Sequence, residues 1–340
     1  MGVSGSVGKG APISWPDTDG YRPLNVRVIE TWLKSSEGQL AILGILMAAG
    51  LHLAGDAWWV DVLSSFRAHL GIAVLVGMVV AMVRKRWSVA VVDLLLAGFL
   101  LAPLSFPRTP TVSGIPDLRI AVHNVHTANR DFESVLADLE ASAPDVMAII
   151  EVDDGWEDAI RRRFPNRHIL AAPRSDNFGI ALVSRRAFTG EGLWETPPIG
   201  ASSIDVVFNT PNGPIRLIVT HPVPPLSKDW WRARNTQLEA VIARAASSEI
   251  PVVVAGDLNL SPTSPAWSRI IGGSPLRRAG LPLGTWPSWL GLVGLPIDHV
   301  LTSPGLAEVG VTMLPGAGSD HRGLLVDLRR TAIIIDAENP

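Results

Sequence analysis

The chain contains no cysteine, a single tyrosine and no strong excess of either charge. Its 29 Lys and Arg stand against 32 Asp and Glu, for a formal net charge of −3 over 340 residues. The missing thiols exclude disulfides and every thiolate metal site. The near balance of charge excludes a protein-wide basic field of the kind that grips nucleic acid through its phosphates. A Gly-rich phosphate loop, a serine nucleophile elbow and a zinc-binding HExxH helix are also missing. What the chain has is apolar mass: 47% hydrophobic residues and 12 tryptophans, with a mean hydropathy of +0.27.

That mass is concentrated in residues 39–106, in the runs QLAILGILMAAGLHLAG, AHLGIAVLVGMVVAMV and WSVAVVDLLLAGFLLAPLSF. A spanning helix needs about 20 mostly apolar residues. The runs predict about three transmembrane helices, over about 39–60, 66–83 and 87–106. A cleaved signal peptide is single and N-terminal, so it does not describe them. A buried helical core would need a partner surface that the rest of the chain does not offer. Trp58, Trp59 and Trp87 suit interface anchors. Basic residues set the orientation. Lys9, Arg22, Arg27 and Lys34 precede the first run, Arg67 alone lies between the first two, and Arg84, Lys85 and Arg86 separate the last two. This predicts a multi-pass protein of the inner membrane with a cytoplasmic segment 1–38 and everything beyond 107 extracytoplasmic. Failure of either of the first two runs to span would invert that sidedness. Asp93 lies inside the third run, where a charge costs roughly 2.5–3.5 kcal/mol at the bilayer centre. Its nearness to the Arg84, Lys85, Arg86 cluster reads as headgroup level.

Residues 107–117 hold several prolines and read as a stiff linker. From 118 to 330 the pattern becomes that of an α/β domain, leaving 331–340 as a tail. Short strands are predicted at 118–125, 144–152, 178–185, 203–209, 215–222 and 252–259, with three more towards the end. Helices are expected at 132–143 and 229–247. Asn212-Gly213 signals a hairpin, and Ser264-Pro265 a helix N-cap and first helical position. The alternation is that of two sheets with hairpins rather than a strict βαβ repeat.

Polar residues terminate these strands: Asn124, Glu151, His221, then Asp257 and Asn259, with Asp298-His299 opening one late strand and Asp320-His321 preceding the last. Side chains at strand ends are held rigidly yet face a cleft. The set offers carboxylates, carboxamides and imidazoles without sulfur. Oxygen donors of this kind suit Mg2+ or Mn2+, and imidazoles can supply charge and protons to a phosphate. Taken singly, each is as well explained by a turn or a solvated strand end.

Together and in order, VHNVHTAN, PDVMAIIEV, FGIALVSR, VTHPVPP, VVVAGDLNLSP, LPIDHVLTS and GSDHRGLLVDL resemble the endonuclease/exonuclease/phosphatase (DNase I-like) superfamily over about residues 117–330. The whole chain looks like a membrane-anchored bacterial member. The resemblance implies a four-layer α/β sandwich and metal-dependent hydrolysis of a phosphoester. It implies that Glu151, Asn124 and Asp320 form the metal site and that Asp257 orients or deprotonates the attacking water. Asn259 would bind phosphate, His321 would contact the scissile phosphate with Asp298 orienting it, and His221 would be a phosphate contact or leaving-group acid.

One departure is His126, where many nucleases have Asp or Asn. It leaves the details of metal ligation open, with Asn129 as a substitute. Arg174, Asn177, Arg234 and Trp286 are candidate substrate contacts. Trp286 and Trp289, in GTWPSWLGLVGLPIDH, form an apolar loop just before Asp298 that could touch lipid or act as a lid. Arg161, Arg162, Arg163 and Arg167 read as a solvated helix face rather than a nucleic-acid patch. The expected substrate is a phosphodiester. A lipid head group, an envelope phosphodiester and nucleic acid all remain open, as does a catalytically silent membrane-bound scaffold. Membrane lipid is the expected surrounding partner, and no obligate protein partner is evident.

Overall fold

The computed structural model describes residues 57–331 apart from 106, together with residue 44. Strands β1 (Leu118–Asn124), β2 (Val146–Ile150), β3 (His168–Ala172) and β4 (Ile180–Ser184) are followed by β5 (Phe188–Thr196), β6 (Ala201–Thr210), β7 (Gly213–Val219) and β8 (Val252–Asp257). The chain then adds β9 (Arg277–Arg278), β10 (Asp298–Thr302), β11 (Leu306–Met313) and β12 (Leu324–Arg330). They form two six-stranded sheets, ordered β11-β12-β1-β2-β4-β3 and β5-β6-β7-β8-β10-β9. Each sheet has one parallel pair near its centre, β1 with β2 and β7 with β8, amid antiparallel neighbours.

The side-chain period of two along a strand fixes the layers. Leu118, Ile120 and Val122 of β1, Leu217 and Val219 of β7, Val253 and Ala255 of β8, and Val300 of β10 bury one face of each sheet against the other. The alternate residues face outward. Ala121, Met147 and Ile149 meet helices α4 (Phe132–Ala141) and α5 (Asp154–Arg163). Ile218, Val252 and Val254 meet α6 (Lys228–Ala246) and α7 (Pro265–Ile270). The result is the expected helix–sheet–sheet–helix sandwich. Each fully buried Val, Ile or Leu in these rows contributes roughly 1.5–3 kcal/mol relative to exposure. The Asn212-Gly213 hairpin forms between β6 and β7, and Ser264 caps α7 with Pro265 at its first position. On the helix at 154–163 two of the three consecutive arginines are paired. Arg161 meets Glu157, and Arg163 meets both Glu133 and Glu140.

Ahead of the sandwich lie α1 (Trp58–Ser64), α2 (Arg67–Val83) and α3 (Trp87–Leu101). Among the described residues, one stretch is long and apolar enough to cross a membrane, Trp87–Leu104; the pair α1 and α2 passes only jointly and is bent by 51°. The second and third expected spans correspond to α2 and α3. The first, about 39–60, falls almost wholly outside the described residues, as do segment 1–38 and most of the tail. Helices α2 and α3 form an antiparallel pair in which the Arg67 guanidinium donates to the Phe99 carbonyl at 3.0 Å. Their outer faces expose Ile72, Val76, Val79, Val91, Leu94 and Leu95.

The Pro-rich segment does not behave as a free spacer. Thr109 donates its amide to the Arg278 carbonyl at 2.9 Å, and Val112 donates to Glu308 at 2.8 Å. The segment is strapped along the β9 and β11 edges, and the buried Thr109 hydroxyl meets that of Thr302 at 2.8 Å.

Candidate active site

The rows that build the inter-sheet core also build the site. Extending each row by one rung at the same end of the sandwich gives Asn124 after Val122, His221 after Val219, Asp257 after Ala255 and Asp298 before Val300. All four are buried. In the antiparallel β8–β10 pair, Asp257 lies directly opposite Asp298. Like charges in that relationship repel. Within β8 the residue before Asp257 has to be glycine: Gly256 has a φ of +147°, and a Cβ there would lie 1.9 Å from the Thr220 carbonyl oxygen. The close approach of β7 to β8 therefore sets where Asp257 emerges.

Beyond the strand ends the backbone turns sharply. Glu151, Asn259, His126 and Asn177 all have φ between +49° and +68°, a conformation that non-glycine residues hold only at a cost. The Asn124 amide nitrogen donates to Glu151 Oε1 at 2.9 Å and to Asp257 Oδ2 at 3.1 Å. Thr127 braces Glu151 through its amide at 3.1 Å and its hydroxyl at 3.3 Å. Asp257 Oδ1 accepts from the Asn259 amide at 2.9 Å. The Asn259 side chain spans Nδ2 to the Pro222 carbonyl at 3.0 Å and to His221 Nε2 at 3.3 Å. His321 joins the group through Nδ1, 2.9 Å from Asp298 Oδ2, and its Nε2 lies 3.6 Å from Asp257 Oδ2. His221 Nε2 lies 3.7 Å from the same oxygen.

These contacts divide the titrating groups. Burial pushes the Asp257 carboxyl up and the facing Asp298 adds to it, bringing it to about 7 against the pull of His321. Burial also opposes ionisation of Asp298, but the His321 imidazolium outweighs it and holds Asp298 below the usual carboxylate range. Burial works against the His321 charge, yet Asp298 and Asp257 overcome it and raise His321 to about 10. Burial outweighs the pull of Glu151 on His221 and lowers it to about 4. At neutral pH the site therefore holds a cationic His321, an anionic Asp298, an Asp257 poised to take or release a proton and a neutral His221.

The donor set fits a divalent cation. One ligand atom from each of Asp257, Asp298 and His321 lies within 4.8 Å of the others, but His321 as an imidazolium has no lone pair to give, so the donors are the carboxylate oxygens. Asp298 Oδ1 is buried with no hydrogen-bond partner. The carboxylates of Glu151, Asp257 and Asp298 face a single imidazolium, which leaves the pocket short of positive charge. Oxygen donors of this type suit the Mg2+ and Mn2+ class.

The remaining expected residues are placed differently. Asp320 sits at the half-exposed rim, accepting from the Trp286 indole at 2.9 Å and lying 3.7 Å from His126 Nδ1. Arg174 is folded back on Asp176, with Nε donating at 2.9 Å, and Asn177 is exposed beside it. Arg234 does not line the cleft. It is 2% exposed and is held from behind by Asp61 while donating Nη1 to the Asn259 carbonyl at 2.9 Å. Asn129 does not replace His126, because its amide closes the loop at Ala317 and its oxygen accepts from Asp131. His299, on the opposite face of β10 from Asp298, accepts from Arg278 Nε at 2.8 Å and donates to the Leu260 carbonyl at 2.8 Å.

Three supporting hydroxyls were invisible to sequence reasoning. Besides Thr127, Ser319 donates to the Asn124 carbonyl at 2.7 Å and accepts from the His321 amide, and Thr285 accepts from the Asp298 amide at 3.2 Å. Serine and threonine are too frequent for any spacing to have marked them.

A family profile described as "Endonuclease/Exonuclease/phosphatase family" matches residues 121–321. No curated protein matches the sequence significantly. Among solved structures, an endonuclease/exonuclease/phosphatase from Beutenbergia cavernae DSM 12333 is 22% identical, with a TM-score of 0.53 over 64% of this chain and 72% of that one. D. rerio TDP2 in complex with a single-strand DNA product is 14% identical, with a TM-score of 0.54 over 62% and 98%. The human Nocturnin catalytic domain with a bound sulfate anion is 19% identical, with a TM-score of 0.52 over 65% and 97%. At these identities the likeness is one of fold.

Proposed function

The chain belongs to the endonuclease/exonuclease/phosphatase family, and from that premise we propose that it is a membrane-anchored, divalent-metal-dependent phosphodiesterase whose catalytic domain is extracytoplasmic. The observation that carries the reading is the Asp257–Asp298 pair with His321 and His221 set against it at one end of the core.

Asp257, near neutrality in proton affinity and fixed by the Asn259 amide, takes the proton of the attacking water. His321, kept cationic by Asp298, offers Nε2 as positive charge to the phosphate. Asn259 Nδ2, 3.3 Å from His221 Nε2, is a neutral donor on the other side of the pocket. His221 is neutral without substrate, and a bound phosphate anion raises its proton affinity so that it can protonate the departing oxygen. Glu151, with Asn124 beside it and Asp320 from the rim, would hold the metal ion. When bound, the ion supplies charge neutralisation at the phosphate.

Membrane anchoring is supported by the α2–α3 hairpin. At about 1.5 Å per residue its 17-residue first helix is about 26 Å long, close to a hydrocarbon core of about 30 Å. The exposed tip carries Arg84, Lys85 and Arg86, while both ends of the hairpin return to the catalytic domain through α1 and the 107–117 strap. Basic residues favour the cytoplasmic side, which supports a domain on the other.

A second reading concerns the substrate. Residues 288–293 expose Leu292, Val293 and a Trp289 that is 79% accessible. This loop is joined to the site through Trp286 and Asp320 and to the hairpin by His69 Nε2, which donates to the Val293 carbonyl at 2.5 Å. An apolar rim on the membrane-attached side favours a phosphodiester carried by a lipid head group. Nucleic acid is less favoured, because Arg163, Arg216 and Arg244 are already committed to carboxylates.

The test uses the full chain in detergent micelles with Mg2+, against bis-p-nitrophenyl phosphate, phospholipid vesicles and plasmid DNA. Turnover that EDTA abolishes and that Asp257→Asn lowers by about 10³-fold is expected. Unchanged turnover in Asp257→Asn sinks the mechanism. No turnover of any of the three substrates returns the chain to a silent binding scaffold.

A further inference from the structure

The strongest unexplained contact lies outside the catalytic cluster. Asp61 belongs to α1, the short helix that leads into the hairpin, yet it is 1% exposed because it inserts between α6 and α7 of the catalytic domain. Its Oδ2 accepts from Arg234 Nη2 at 2.5 Å. Its Oδ1 accepts from the Ala266 amide at 3.0 Å and from the Ser264 hydroxyl. Arg234 in turn gives Nη1 to the Asn259 carbonyl at 2.9 Å and Nε to Asn235 Oδ1 at 3.1 Å.

These bonds bracket one loop. The segment leaving β8 carries Asp257 and Asn259 and runs on to Ser264, the cap of α7. Arg234 holds it at Asn259, and Asp61 holds both Arg234 and the far end at Ser264 and Ala266. A single carboxylate from the membrane-side helix thus closes both ends of the loop that aims the water-activating and phosphate-binding groups. Asn259, at φ +49°, is in a conformation that persists only where its surroundings impose it. Deprived of Asp61, Arg234 is a buried cation with no anionic partner, and its hold on Asn259 competes with its need for water.

We propose that Asp61 is a positioning residue for the active site: the juxtamembrane helix completes the catalytic domain, and Asn259 is correctly aimed only while α1 is docked. The proposal rests on the phosphodiesterase reading for its functional consequence, and on the loop geometry alone for its structural one. The anchor is then more than a tether, since it makes turnover conditional on the seated state of the helix that emerges from the membrane.

Three full-length proteins in the same detergent decide it: the parent, Asp61→Asn, and the double variant Asp61→Leu/Arg234→Met. The double variant removes both charges, so it leaves no unpaired ion and folds even where Asp61→Asn does not. Backbone hydrogen exchange over residues 258–266 is expected to rise at least tenfold in both variants, while exchange over Leu118–Asn124 stays within twofold of the parent. On bis-p-nitrophenyl phosphate, kcat is expected to fall at least tenfold in both, including the double variant whose thermal midpoint is restored. Parental exchange in the 258–266 segment overturns the proposal whatever the activity. Parental kcat in the double variant overturns it as well, since a purely stabilising ion pair would behave that way. A parent protein without turnover, together with raised exchange in both variants, refutes the phosphodiesterase reading and leaves the docking role standing.

Discussion

Asp298 Oδ2 stands 2.9 Å from His321 Nδ1, and neither side chain reaches solvent. That contact decides the charge state of the site, because it keeps His321 cationic and leaves Asp257, directly across the sheet from Asp298, near neutrality. Replacing Asp298 with Asn removes the anion that raises His321, whose proton affinity then drops from about 10 towards or below its ordinary 6.5. The expected outcome is a fall in turnover of roughly 10²–10³-fold at neutral pH. The loss should become steeper as pH rises through neutrality, where the variant histidine loses its proton and the parent's keeps it. A pH–rate profile of both proteins on bis-p-nitrophenyl phosphate measures this; parallel profiles would mean that the pair does not set the protonation of His321.

Gly256→Ala tests the origin of the site's geometry. An added Cβ meets the Thr220 carbonyl oxygen at 1.9 Å, and the backbone is at φ +147°. The collision is with main chain, so no rotamer change relieves it. A loss of about 3 kcal/mol or more is expected from strain and displaced strands together. Denaturant unfolding of the full chain in detergent reads it directly. A variant within about 0.5 kcal/mol of the parent would show that β7 and β8 have room to part, and that Asp257 is placed by something else.

Much of this was legible in the sequence, for an identifiable reason. The alternation that buries Leu118, Ile120 and Val122 also dictates where Asn124 points, and the same parity carries Ala255 to Asp257. Reading the rows therefore predicts which polar strand ends share a cleft. Parity also separates Asp298 from His299, which faces Trp267 and Arg278 on the other side of β10. Contacts between segments remote in sequence and without a periodic signature were not legible. From sequence Arg234 reads as a cleft residue, because nothing in its helix announces that Asp61, 173 residues earlier, occupies its guanidinium. Asp61 itself lies in the short stretch between the first two expected spans, where no motif or period marks it. The bend of 51° between α1 and α2, which releases it to the catalytic domain, is a tertiary event.

His299 makes a prediction about acid stability. It is buried, and burial, with Arg278 beside it, lowers it from 6.5 to about 3. A histidine that stays neutral when folded binds its proton more tightly once unfolded, so the unfolded chain gains protons first as pH falls. The associated stability is fully present above about 6.5 and is lost progressively as pH drops towards 3. Substituting His299→Gln removes this titration. The slope of the thermal midpoint between pH 6.5 and 4 should become shallower than the parent's, at some cost in stability from the altered contacts with Arg278 and Leu260. Identical slopes would assign the acid sensitivity elsewhere, with His123, likewise lowered to about 4 by burial, as the next group to replace.

The sidedness of the catalytic domain can be read by chemistry that the native chain does not perturb, since it has no cysteine. Lys85 lies at the exposed hairpin tip and Ser247 at the exposed end of α6, on the catalytic domain. The two ends of the hairpin return to that domain, so a hairpin that crosses the bilayer puts its tip on the opposite side from Ser247. With Arg84 and Arg86 flanking it, the tip is expected in the cytoplasm. In intact cells, a membrane-impermeant maleimide should label Ser247→Cys rapidly once the outer barrier is opened. Lys85→Cys should react only after the inner membrane is disrupted. The reverse pattern would place the phosphoesterase in the cytoplasm. Labelling of both positions without disruption would mean that the hairpin lies against the membrane instead of crossing it, and its exposed Val76, Val79, Leu94 and Leu95 would then have to be covered by the interface. Neither substituted side chain belongs to the catalytic cluster, so turnover on the soluble diester should stay at the parental level and certify that the labelled proteins are folded.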